Sequence, residues 1–442
     1  MISREQLISL IKHDPVSDEL GRRIADRGGS VRLDSLVGSA YSLYAAAAVM
    51  RCGGIHCFVA EDKDAAAYLA SDLYALLDSE RVMFLSSSFK RSIRVGQADP
   101  TGTVQRTATL NAVRNFGSGY LVVCTYPEAL AETVVDEREM NRSCITVSTG
   151  DKLSPEFLVE TLEAAGFERV DFVYDPGQYA VRGGIVDVFS YAESRPYRID
   201  FFGDEVDSIR LFEISSQLSS ERLQRVEIIP NLQADDNSRV SFAGFAGKEV
   251  TYWIDDPSYA VRRMNDIRVG LLSDGVESAE VDRRVVSGSR FMDEIAGNTV
   301  LWRRGTPPKR ANMVELNFGT SPQPAFNKNF GMLADDISSR TADGYSVCIL
   351  SENKAQIERL ENIFHQSGAG AVRFEPLSVT LHEGFVSTRL KMCCYTDHQI
   401  FDRYHRYKLR GEISRDESLT VAELNSLKIG DYVVHVDHGI GR

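Results

Sequence analysis

GQYAVRGGIVDVFSYAESRPYRIDFFGDEVDSIRLF, residues 177–212, says more about fold and function than any other part of the chain. Runs suited to strands at 181–189 and 196–202 flank a short polar loop, and a Gly203-Asp204 turn leads into a third run at 206–212. Tyr197, Ile199 and Phe201 alternate with Arg198 and Asp200, the period-two pattern of a strand that buries one face. Arg182 stands immediately before Gly183-Gly184, so a guanidinium is offered beside backbone with almost no side-chain cover. Taken singly, each arginine reads as solvent cover for a small antiparallel sheet. The ordered combination RGGIVDVF, then YRIDFFGDEVDSIR, is too long and specific for that reading.

Length and composition bound the rest. A chain of 442 residues holds roughly three or four domains of about 100–150 residues. Hydrophobic content of 43% and charged content of 26% are ordinary, so a sizeable core is available. The net charge of −13 favours protein partners over duplex DNA, because phosphate neutralisation calls for a basic face. The seven cysteines form no CxxC pair and no Cys/His spacing suited to zinc, and Cys393-Cys394 read as reduced, buried thiols. No secretory pattern opens the sequence, and no apolar run has bilayer length, so the expectation is a cytoplasmic protein with no membrane partner.

On both sides of the opening stretch the pattern is α/β. Helices are expected at 39–52, 64–77 and 104–116, with strands at 55–60, 81–85 and 120–125. This alternation implies a parallel sheet covered on both faces. Ser154-Pro155 starts a helix that Gly166 ends. Strands at 249–254 and near 299–302 return to α/β character, so residues 126–212 are expected to be inserted into one α/β domain. A fresh unit follows from 331, with strands at 345–350, 372–374 and 390–395 and a capping box at Thr396 and Gln399. Residues 404–426 are charged enough for a linker, and LKIGDYVVHVDHGIGR begins a new β-rich fold and stops in mid-pattern, as the edge of a longer protein would.

A nucleotide site needs a glycine-rich loop to surround phosphate and a lysine to meet its charge. The slot after the strand at 31–36 reads VGSAYSLYAAAA, with no GKS or GKT and no lysine nearby. VTYWIDD at 250–256 resembles a Walker B strand, whose carboxylates would hold nucleotide-bound magnesium. Without the lysine loop, Asp255 and Asp256 are expected to cap a helix or a turn. Together the two slots describe a RecA-type domain without its nucleotide. His435 and His438 fall on opposite sides of a strand and do not form a metal pair. No GxSxG elbow occurs, and no residue set supports catalysis.

Residues 177–212 closely resemble the domain that the nucleotide-excision-repair helicase UvrB and the transcription-repair coupling factors share for docking UvrA. Read outward, almost the whole chain resembles the N-terminal half of a bacterial coupling factor. The resemblance implies a degenerate RecA-like parallel-sheet domain in two parts, 1–125 and 213–330, with an inserted α+β UvrA-docking domain at 126–212. A smaller α/β domain at 331–403, the linker at 404–426 and the truncated start of an RNA-polymerase-interacting domain at 427–442 follow. HEGFVS and YTDHQIFDRYHR resemble the third domain of the family, and GDYVVHVDHGIGR the opening of the polymerase-binding one. UvrB itself has a complete P-loop and a DNA-clamping hairpin, and this chain departs from both.

In the family, the coupling factor binds stalled RNA polymerase, displaces it by ATP-driven translocation and recruits UvrA. The implied partners are therefore UvrA, the RNA polymerase β subunit, DNA through a motor beyond Arg442, and an intramolecular cover from the C-terminal part. ATP and magnesium belong to that motor, and no cofactor and no enzymatic activity are expected within these residues. Motif matching carries UvrA-docking roles onto Arg169, Arg182, Phe189, Arg198 and Arg210. Arginine suits such a site because its planar fork bonds acidic partners in pairs. Two rival classes are a UvrB-like DNA-binding repair module and an atypical nucleotide-binding enzyme. The net charge speaks against the first and the missing lysine against the second.

Overall fold

A computed structural model of the chain describes residues 4–27, 29–88, 99–232, 238–306, 313–366, 372–407, 409, 433–435 and 439–441. The chain divides into two compact units, a larger one of Met1–Glu139 with Asp235–Arg410 and a smaller one built on Met140–Ala234.

The larger unit holds a seven-stranded parallel sheet, in the spatial order Met313–Asn317, Ser30–Asp34, Val300–Trp302, Val250–Ile254, Gly54–Val59, Tyr120–Thr125 and Val82–Phe84. GIHCFV, YLVVCT and VTYWI are nearly continuous apolar runs, buried almost throughout, as parallel strands covered on both faces must be. Strands Tyr120–Thr125 and Val250–Ile254 both bond to Gly54–Val59, so chain before and after the smaller unit builds one sheet.

The smaller unit begins and ends later than the spacing at 126–212 suggests. Helix Pro127–Ala131 stays with the larger unit because the buried Arg106 donates to the carbonyls of Ser86 at 3.1 Å and Ala129 at 3.0 Å. Val134–Val135 then pairs with Arg239–Val240. At the other border, Arg225–Ile228 pairs antiparallel with Ile145–Ser148 and ties the exit of the smaller unit to its entry.

The smaller unit carries helix α1 (Pro155–Ala164) and strands β1 (Glu168–Arg169), β2 (Gln178–Arg182), β3 (Ile185–Val188), β4 (Tyr197–Phe201), β5 (Val206–Phe212) and β6 (Ser219–Leu223). They form one sheet in the order β6-β5-β4-β3-β2-β1, antiparallel except between β1 and β2. Ser154 caps α1 by accepting from the Phe157 amide at 3.2 Å, and Leu158 and Leu162 pack with Tyr179, Val186, Tyr197, Ile199 and Ile209. One face of the sheet is thus helix-covered.

In the larger unit a second sheet orders Thr320–Pro322, Phe385–Ser387, Met392–Thr396, Ser346–Leu350 and Glu375–Leu377. It begins before residue 331, and its Leu350 and Phe385 share a core with Tyr44 and Phe318. The strand expected at 372–374 lies at Glu375–Leu377. Gln399 makes no capping box with Thr396. Its Oε1 accepts from the Gly384 amide at 2.7 Å and the Thr396 hydroxyl at 2.9 Å, which joins two strand ends instead. The expected linker starts as packed chain, with the Tyr68 hydroxyl donating to the His405 carbonyl at 2.9 Å. Residues 411–426 of that linker and His438 lie outside the described residues, and of 427–442 only the paired strands Val433–His435 and Gly439–Gly441 are described.

Candidate functional site

The face of the six-stranded sheet opposite α1 carries a row of charge, and the small core of Val173, Ala180, Phe189 and Phe212 closes over part of it. Cross-strand register places Ala180, Asp187, Arg198, Arg210 and Arg222 side by side on β2 to β6. Arginines directly opposite one another repel, and two carboxylates interleave them. Asp187, with 0% exposure, receives Arg198 through two bonds, Nε to Oδ1 at 2.7 Å and Nη2 to Oδ2 at 2.9 Å. The same carboxylate also pairs with Arg182. Asp200 pairs with Arg210 and accepts from the Ser208 hydroxyl at 2.9 Å. The paired Asp187 holds the Arg198 guanidinium above its ordinary pKa, against burial. Four guanidiniums stand on this face with three carboxylates, Asp187, Asp200 and, on the edge strand, Glu168, which leaves it basic on an acidic chain.

The tight Arg182–Ile185 hairpin delivers Arg182 to this face. Gly183 takes φ 59° in the two-residue loop, a conformation costly for other residues. At Gly184 a Cβ would come within 3.0 Å of the Phe201 carbonyl oxygen, so glycine permits the strands to close there.

Of the five residues carried here by motif, Arg182, Arg198 and Arg210 come together, and two do not join them. Phe189 is 1% exposed and packs with Val173, Ala180 and Phe212 in a small second core, so it offers no surface. Arg169 pairs across strands with Tyr179, whose ring belongs to the helix-covered face and whose hydroxyl donates to Glu163 of α1 at 2.6 Å. Arg169 therefore lies on the opposite side of the sheet from the row. Side-chain alternation was enough to foresee the Arg198 and Asp200 faces. Asp187 and Phe172 were missed. Asp187 sits among valines with its opposite charges elsewhere in the chain, and Phe172 lies outside any periodic run. The Arg182 guanidinium lies 5.1 Å from the Phe172 ring centroid, and that of Arg198 4.5 Å from Phe212.

In the larger unit, the slot that resembles a nucleotide loop is filled by protein. Ser39 donates its amide to the Glu383 carbonyl at 3.0 Å, and its hydroxyl accepts from the Glu383 amide at 3.0 Å. The Val37 amide goes to the Thr320 hydroxyl at 3.0 Å. Buried Asp72 accepts from the Ser39 hydroxyl at 2.6 Å, the Ser42 hydroxyl at 2.8 Å and the His382 amide at 2.7 Å. A Cβ at Gly38 would come within 2.8 Å of the Gly384 carbonyl oxygen. Asp255 bonds the Arg303 Nε at 2.8 Å, and that guanidinium lies 4.0 Å from the Tyr41 ring centroid. Asp256 caps the next helix by accepting from the Tyr259 amide at 2.9 Å. Among the described residues no His, Cys, Asp and Glu cluster suits a metal ion, and no helix is long and apolar enough to cross a membrane.

Comparison with known proteins places the arginine face inside a recognised domain. The model of the UvrB interaction domain matches residues 145–233, nearly the extent of the smaller unit. The transcription-repair-coupling factor of Bacillus subtilis (strain 168) is 23% identical over 494 residues, covering 93% of this chain and 41% of that protein. Its counterpart in Escherichia coli (strain K12) is 33% identical over 125 residues, which is 28% of this chain and 11% of that protein. That of Staphylococcus aureus (strain USA300) is 21% identical over 454 residues, covering 85% of this chain and 38% of that protein. The chain thus spans less than half the length of these curated relatives.

Proposed function

We propose, for a chain related along nearly its whole length to the transcription-repair coupling factors and carrying a UvrB interaction domain, that it recruits UvrA in nucleotide-excision repair through the arginine face of its smaller unit. The observation that carries this reading is the coincidence of the matched residues 145–233 with the one basic, preorganised sheet face described above. Asp187 fixes Arg182 and Arg198 in place before a partner arrives, which lowers the ordering cost of binding. The role assigned to these residues is recognition, without chemistry of their own.

RNA polymerase binding and DNA translocation belong, in this reading, to parts of a longer protein that these residues do not supply. ATP, in this reading, has no role at the slot before helix Ala40–Cys52. The amide and hydroxyl of Ser39 are taken by Glu383, and a carboxylate that would otherwise hold magnesium is paired with Arg303.

Titration of the chain against purified UvrA by fluorescence anisotropy tests the reading. Arg182→Ala should weaken binding by about 30-fold, as expected for an interface anchor of about 2 kcal/mol. Its melting temperature should fall little, because Arg198 keeps both of its bonds to Asp187. Failure of the unmodified chain to bind UvrA would sink the reading.

A further inference from the structure

We infer that Phe172, set against Arg182, is the aromatic anchor of this docking face, and that it receives a segment of UvrA carrying a carboxylate beside an apolar side chain. The inference rests on the UvrA-docking reading and assigns the aromatic contact to a residue that the motif did not mark.

The rings near the arginine row differ in what they can offer. Phe189 and Phe212 are sealed in the small core, where Phe212 supports Arg198 from below. Phe172 is 46% exposed, and its ring contacts the Arg182 guanidinium at 5.1 Å. Phe157 belongs to α1, and Phe202, beyond the end of β4 on the side of Arg198 and Asp200, is more exposed than Phe172 but is not set against a guanidinium of the row. Among the described residues, Phe172 is the exposed ring of this unit that touches a guanidinium of the row.

Arg182 complements it. One Nη is held by Asp187, and the side chain keeps 35% exposure, against 14% for Arg198. It is therefore both oriented and reachable. A carboxylate meeting Arg182 from solvent would lie beside the Phe172 ring. An apolar group next to that carboxylate would cover the ring and exclude water from the ion pair, which strengthens it. The surplus of guanidiniums over carboxylates on this face selects an acidic segment.

The test uses the whole chain and purified UvrA, with affinity and melting temperature measured on each variant. Phe172→Ala should weaken binding by about tenfold or more, the scale of an aromatic hot spot, with the melting temperature nearly unchanged. Phe172→Tyr should bind within about threefold of the unmodified chain, since the ring face is kept. If Phe172→Ala binds normally while Arg182→Ala does not, the inference falls and the UvrA reading stands. Equal losses of affinity and melting temperature would make Phe172 structural and overturn the inference. If the unmodified chain does not bind UvrA, both fall.

Discussion

Asp187 is the residue on which the candidate site turns. A carboxylate with no solvent exposure between Val186 and Val188 is costly unless it is paired and hydrogen-bonded. Arg198 supplies two bonds and Arg182 a third contact. Replacing Asp187 by Ala would leave the little-exposed Arg198 guanidinium without its counter-charge, an uncompensated state that typically costs about 3–5 kcal/mol. The expected outcome is destabilisation of that size in the smaller unit, with Asp187→Asn between it and the unmodified chain. Hydrogen exchange of the β3 and β4 amides measures it. Protection unchanged within about 1 kcal/mol would mean that the pair contributes nothing net. Phe189 teaches the complementary lesson at this scale. A phenylalanine at the end of a strand reads equally well as an anchor or as core, and Val173, Ala180 and Phe212 closing over it decide the matter.

Among elements, the loop before helix Ala40–Cys52, the slot compared with a nucleotide loop, is filled by protein. Residues 382–384 reach it from the five-stranded sheet, and Asp72 of helix Lys63–Leu76 gathers the polar ends. Burial pushes the Asp72 carboxyl up to about 6 from an ordinary 3.8, although hydrogen bonds from Ser39, Ser42 and the His382 amide oppose the rise. The folded chain therefore holds this proton more tightly than the unfolded one. Its contribution to stability is fully present below the ordinary value and is lost as pH rises through about 6. Over that window the larger unit should lose about 3 kcal/mol from this group. Trp253 and Trp302, the two tryptophans of the chain, both lie in the parallel sheet, so their fluorescence follows the larger unit alone. Urea unfolding at pH 4 to 7 should show the decline in the unmodified chain, and Asp72→Asn should remove that part of it. Parallel curves for the two proteins would show that Asp72 does not titrate in this range.

For the molecule as a whole, the filled slot makes nucleotide independence the expected behaviour. A ligand present at 100 times its dissociation constant adds about 2.7 kcal/mol to stability. Magnesium and ATP at millimolar concentration should therefore leave the tryptophan-detected melting temperature unchanged, and a clear upward shift would overturn that expectation. Much of the architecture was legible in the sequence. The buried runs GIHCFV, YLVVCT and VTYWI announce parallel strands, because only a sheet covered on both faces tolerates continuous apolar residues. The alternation from Tyr197 to Phe201 announces a half-covered strand, and Ser154 with Pro155 a helix start. The missing lysine after Gly38 is equally plain. What the sequence could not show is what covers each face, since periodicity assigns a side chain to one side of its strand without naming the layer that arrives there. That Phe189 packs with Val173 and Phe212, and that Glu383 enters the loop at Ser39 from more than three hundred residues away, are encounters that local pattern does not name. Local patterning determined the strands and their faces, and only tertiary packing decided which of those faces remain open to a partner.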